Sequence, residues 1–168
     1  MPRFETQPTI RRILLGLMVT PTMLAAQTRP AAGQYINPAG LAPPTGFTQV
    51  IVAPAGRTVY IAGQVAFDSA GRVVGPGDFR AQAERVFANL DLALRGAGVT
   101  FADVVKTTTF VTDLSQLAVL REVREVRARY LDAARPPAST VVEVKSLVRP
   151  ELLIEIEAVA VLPEARRP

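Results

Sequence analysis

Few side chains in this sequence can do chemistry, and their types narrow that chemistry at once. Among 168 residues there is no Cys and no His. This excludes a thiolate nucleophile, a disulfide framework, zinc sites built on thiolate or imidazole, and a Ser-His-Asp triad. A general acid or base must come from Asp, Glu, Lys, Tyr or water. Two carboxylates stand out. Glu155 and Glu157 alternate with Ile154, Ile156 and Ala158, and so share one strand face with Val159 and Val161. An arbitrary strand Glu faces solvent, but the valines beside these two argue for burial. A desolvated carboxylate can act as a base near neutral pH. The second feature is Gly63-Gln64, which interrupts an apolar strand pattern. A glycine there marks either a β-bulge or a close backbone approach. None of these groups calls for a metal or an organic cofactor.

The elements that must position these groups can be read in order. Residues 47–52 (FTQVIV) and 58–62 (TVYIA) are strand candidates separated by Pro54-Ala55-Gly56, with Val73-Val74 as a short third strand. Asp78 caps a helix from Phe79 to about Arg95 whose apolar positions are Phe79, Ala83, Val86, Phe87, Leu90 and Leu94. Gly96 and Gly98 end it. Residues 104–112 (VVKTTTFVT) are rich in β-branched side chains and predict a central strand. A second helix from Leu114 to about Leu131 has the apolar row Val119, Val123, Val126 and Tyr130. Its Arg121, Glu122, Arg124, Glu125 and Arg127 read as a solvated charged face. Residues 140–144 and 152–161 supply two last strands. The order predicts an α+β domain, a mixed sheet with two helices packed on one face.

Ahead of this domain, residues 1–26 have the order of a signal peptide: a positive region at Arg11-Arg12, an apolar run over 13–26, and Leu24-Ala25-Ala26 as a cleavage site before Gln27. The run is too short for a good membrane anchor, and the arginine pair loosely resembles a twin-arginine signal. Export to the periplasm or medium is therefore expected, with no membrane anchor after cleavage. Residues 27–46, holding Pro30, Pro38, Pro43 and Pro44 without any period, read as a linker, and 164–168 as a tail. The leader holds Arg3, Arg11 and Arg12 against Glu5, so of 19 basic and 15 acidic residues the remainder keeps 16 and 14, a net of +2. That is too little for a nucleic-acid partner.

Four stretches in order resemble the Rid (YjgF) family of enamine/imine deaminases: Pro44-Thr45-Gly46-Phe47-Thr48-Gln49, Ile61-Ala62-Gly63-Gln64-Val65, residues 104–114 (VVKTTTFVTDL) and residues 154–161 (IEIEAVAV). The resemblance spans about Asn37 to Pro163. It implies a chorismate-mutase-like fold for 47–163 and a homotrimer with small-molecule clefts between subunits. In active members an Arg at the start of the strand after the second helix binds the substrate carboxylate as a bidentate fork. A Glu on the last strand places water or a proton, and backbone near the Gly-Gln turn lines the cleft. By that resemblance Glu155 is the catalytic carboxylate, and Phe47, Ala62, Gly63, Gln64, Ser139 and Thr140 line the cleft. Here the Pro-Ala-Arg-Ser pattern reads Pro137-Ala138-Ser139-Thr140, so Ser139 (or Ala138, with a one-residue shift) stands at the Arg position, and Phe47 stands where a Tyr is usual. Without that Arg, 2-imino acids are expected to be weak substrates unless another cation reaches the cleft. Arg121 is a candidate, or else pairs with Glu125 at i,i+4. Three functions remain open at this point: hydrolysis of a C=N bond on a substrate not held by the usual Arg, a non-catalytic trimer that binds a small molecule, and an RNA-directed activity, disfavoured by the weak charge and the leader.

Overall fold

The computed structural model describes residues 33–115 and 117–164. The leader and the residues from 165 onward lie outside them. The chain runs β1 (Gln34–Ile36), β2 (Val50–Val52), β3 (Gly56–Val65), α1 (Phe79–Gly96), a 3-10 turn (Phe101–Asp103), β4 (Val104–Val111), α2 (Leu117–Arg127), β5 (Ala138–Glu143) and β6 (Ile154–Pro163). The main sheet has the order β3-β6-β4-β5. β6 is antiparallel to both neighbours, and β4 and β5 are parallel across the α2 crossover, so the sheet is mixed. Both helices cover one face, as the periodicity implied.

Alternation along β6 decides which face is covered. Leu152, Ile154, Ile156, Ala158 and Ala160 are buried against Ala83, Val86, Phe87, Leu90 and Leu94 of α1 and Val123 and Val126 of α2. Each fully buried Leu, Ile or Val contributes about 1.5–3 kcal/mol. Tyr130 closes the row by packing on Phe87 and Phe101, with ring centroids 5.3 and 5.0 Å away. The side chain of Val119 lies outside those described. Asp78 caps α1 by accepting from the Ala81 N–H at 2.9 Å. Gly98, at φ +73°, supplies the left-handed residue that turns the chain after the helix. α2 is shorter than its sequence pattern, because after Arg127 the chain closes into turns through Tyr130.

Two expectations fail for a shared reason. The stretch 47–52 does not enter the main sheet: Thr48 forms one parallel bridge to Ala138, and only Val50–Val52 is a strand. Its partner is β1, a strand within the residues read as linker, in register Gln34 to Val52. A three-residue strand leaves too little alternation to be seen among prolines. Val73 likewise makes a single bridge to Phe67 rather than a strand.

The core also holds a polar residue on the apolar stripe of α1. Gln82 is fully buried. Its Nε2 donates to the carbonyls of Gly75 (3.1 Å) and Glu151 (2.7 Å), and its Oε1 accepts from the Leu153 N–H (2.8 Å). The side chain thus ties the turn before α1 to the loop that feeds β6. Gln82→Leu keeps the bulk but strands buried backbone groups, each costing about 1–3 kcal/mol. We expect thermal unfolding followed by circular dichroism to show a Tm lower by roughly 10 °C. An unchanged Tm would mean that this clamp is energetically idle.

Candidate active site

The uncovered face of the sheet holds the carboxylate that the sequence singled out. Glu155 sits half-buried on β6 between Val65 of β3 and Phe110 of β4. The β3–β6 register shifts between Ile61 and Gln64, so Ala62 and Gly63 form a bulge. Bulge and close approach are here the same feature: a Cβ on Gly63 would occupy the position of the Glu155 carboxylate. Gln64 folds back, its Nε2 donating to the Ala62 carbonyl at 3.1 Å. The strand end beyond the bulge is fixed from α1. There Asn89 Nδ2 donates to the carbonyls of Val65 (2.9 Å) and Phe67 (3.0 Å), and Arg85 Nε donates to Phe67 (2.8 Å). Thr140 also belongs to this face, where its hydroxyl accepts from Lys106 Nζ. Tyr60, 80% exposed, stands nearby with the half-buried Val159 opposite it.

The other predicted cleft residues lie on the helix side. Ser139 pairs with Thr107 on β4, and the Thr107 hydroxyl donates to the Ser139 hydroxyl at 3.1 Å. Phe47 reaches the same place because Thr48 is pinned to the start of β5. Its N–H donates to the Pro137 carbonyl (3.2 Å) and its hydroxyl to that of Pro136 (2.7 Å). Between them opens a cavity of about 300 Å³ bounded by Thr45, Phe47, Val123, Arg124, Arg127, Ser139 and Val141. A smaller one of about 30 Å³ lies deeper, against Phe87, Leu90, Thr107 and Ile156, and shares Arg127 and Ser139.

Arg127 corrects the reading of α2. The helix periodicity implies a solvated charge there, yet Arg127 is half-buried beneath the helix, and its Nη2 is fully buried with no hydrogen-bond partner. Burial pushes its pKa below the ordinary arginine value. The spacing held a signal for this: Arg127 lies four residues after Val123 and directly after Val126, on the flank of the apolar row. A long side chain can bury its stem there. Arg121, the cation suggested by the sequence, is 74% exposed and lies 3.6 Å from Glu125, and it bounds neither cavity. The pairing alternative describes it. Arg80 of α1 donates to the same Glu125 at 2.8 Å and holds that carboxyl below its usual range.

The site residues therefore divide. Glu155, Ala62, Gly63 and Thr140 belong to the open face, whereas Phe47, Ser139 and Arg127 lie under the helices. A four-stranded sheet separates the two groups within one chain.

A sequence model of the family described as Endoribonuclease L-PSP matches residues 38–162. The solved structure of YyfB, a Rid-family protein from Yersinia pestis, is 42% identical, with a TM-score of 0.71 over 79% of this chain and 100% of that one. The chain belongs to the Rid family. Among its Rid relatives, protein DfrA of Myxococcus xanthus is 40% identical over 115 residues, covering 68% of this chain and 84% of that protein. The 2-iminobutanoate/2-iminopropanoate deaminase of Rattus norvegicus is 32% identical over 113 residues, covering 62% and 73%. Membership in the Rid family accounts for the two-layer fold and for relatives that are imine deaminases.

Proposed function

We propose that the protein is an exported enzyme that hydrolyses a C=N bond in clefts formed between copies of itself, with Glu155 as the proton-handling group. The observation that carries this reading is the Glu155 carboxylate seated against the bulged Gly63, where an added Cβ would displace it. In the reaction, water adds to the imine carbon while the carboxylate accepts its proton and passes it to nitrogen. The carboxylate then takes the hydroxyl proton of the resulting carbinolamine and delivers it to nitrogen as the C–N bond breaks, releasing ammonia and leaving the carbonyl product. Ser139 stands in place of the strand arginine implied by family resemblance, so β5 itself supplies no cation.

The division of the site across the sheet supports assembly. Glu155 of one copy reaches the Phe47–Ser139 side of the next where the open face of one packs beside the β5 edge of its neighbour, and the exposed Tyr60 is covered at the same time. Covering apolar area there stabilises the assembly by about 25 cal/mol per Å². A three-fold ring closes such head-to-tail contacts. The mature chain would begin near Gln27, with the leader removed.

One experiment tests export and chemistry together. Protein isolated from its native host is checked by mass for a start near Gln27, then added to 2-iminopropanoate generated in situ. The expected result is a processed chain that accelerates ammonia release above the uncatalysed rate. An intact Met1 terminus contradicts export. No acceleration of this imine, or of an uncharged imine of the same size, would leave a binding trimer without catalysis.

A further inference from the structure

Arg127 is a half-buried cation whose Nη2 is shut away from water without a partner. Removing a guanidinium from water is costly unless an anion and hydrogen-bond acceptors replace the solvent. Arg127 pairs with no carboxylate among the described residues. It borders three cavities, of which the two it shares with Ser139 have no Asp or Glu on their walls, whereas the third, about 170 Å³, has Asp132. Its Nη2 lacks any partner. Beside it lies a cavity of about 300 Å³ with two hydroxyl residues, Ser139 and Thr45, a second arginine, Arg124, at its side, and apolar walls from Phe47, Val123 and Val141. Those are the parts of a receptor for a small organic anion: a cationic end to hold the charged group and an apolar end to hold its body.

We propose that Arg127, reaching down from α2, is the anchor for the carboxylate of a small 2-oxo or 2-imino acid, with the Ser139 hydroxyl as its companion donor. The planar fork of a guanidinium matches a carboxylate in two parallel hydrogen bonds, and the unpartnered nitrogen gives the fork one free arm. The anchor thus comes from a helix rather than from β5, and it raises the expected activity on 2-imino acids above what Ser139 alone would allow. This assignment rests on the proposed hydrolysis only for the identity of the substrate, since anion binding is measurable without turnover.

The test uses 2-oxobutanoate as the probe and 2-butanone as its uncharged counterpart, titrated calorimetrically into the assembled full-length protein and into Arg127→Met. Met keeps the bulk and removes a buried charge, so the variant should unfold at an equal or higher temperature. The unmodified protein is expected to bind 2-oxobutanoate and not 2-butanone, and Arg127→Met to bind the acid at least about 30-fold more weakly, as loss of charge-assisted hydrogen bonds implies. In Arg127→Lys, which keeps charge without the fork, affinity should fall between the two. In the unmodified protein the side-chain ¹⁵N signals of Arg127 should shift on adding the acid, a readout that needs no variant. Equal affinity in Arg127→Met, or no binding at millimolar acid, overturns the proposal whatever the imine assay gives. Arg127-dependent binding combined with absent imine hydrolysis upholds the anion site and defeats the hydrolytic reading instead.

Discussion

Glu155→Gln is expected to lower the rate of imine hydrolysis by about 10²–10⁴-fold, the range in which a positioned proton-transfer group contributes, while the protein still folds and assembles. Gln has nearly the same shape and still fits against the bulge of β3, but it cannot take a proton from water. Binding of 2-oxobutanoate should survive, because the carboxylate anchor is Arg127 of the neighbouring copy and Gln keeps the shape of the Glu155 side chain. Gly63→Ala approaches the same group from the other side. Gly63 has no left-handed backbone angle to protect, so the added methyl acts by contact alone. The neighbour that it meets is the end of the flexible Glu155 side chain. The carboxylate should swing aside with little loss of Tm, and hydrolysis should fall although no catalytic group has been removed. Steady-state ammonia release on 2-iminopropanoate measures both variants. Full activity in Glu155→Gln would assign proton handling to another group; full activity in Gly63→Ala would mean that the carboxylate needs no fixed position.

The parts of this molecule that were legible in the sequence share one property: their signal repeats. The stripe from Ala83 to Leu94 and the alternation from Ile154 to Ala160 each present several residues in phase, and the structure buries those positions. Glu155 could be singled out because an alternating strand assigns every residue a face. What stayed hidden depends on single side chains or on very short elements. β1 and β2 have three residues each, shorter than any period can reveal. Gln82 carries no periodic signal, and its amide satisfies three backbone groups that only the folded chain brings to one point. Arg127 looked like one charge among five on α2. Position on the helix placed it at the border of the apolar row, but only packing against β5 decides whether a border arginine extends into water or folds beneath the helix. Arg121 had the same formal character and took the other course, because Glu125 was available one turn away.

In the proposed arrangement a complete site needs two copies of the chain, one giving Glu155 and the next giving Arg127 with Ser139. Subunit mixing tests it most directly. Glu155→Gln and Arg127→Met chains, each nearly inactive alone, are unfolded together, refolded as mixed assemblies and assayed for 2-iminopropanoate hydrolysis. With random assembly into three-fold rings, about a quarter of the clefts should pair an intact Glu155 with an intact Arg127 across the interface. Recovery of roughly that share of the unmodified activity is expected, in assemblies that light scattering shows to be trimers. No recovery above the parent variants in such mixed trimers would contradict it, since it would place both residues of the working site within one chain.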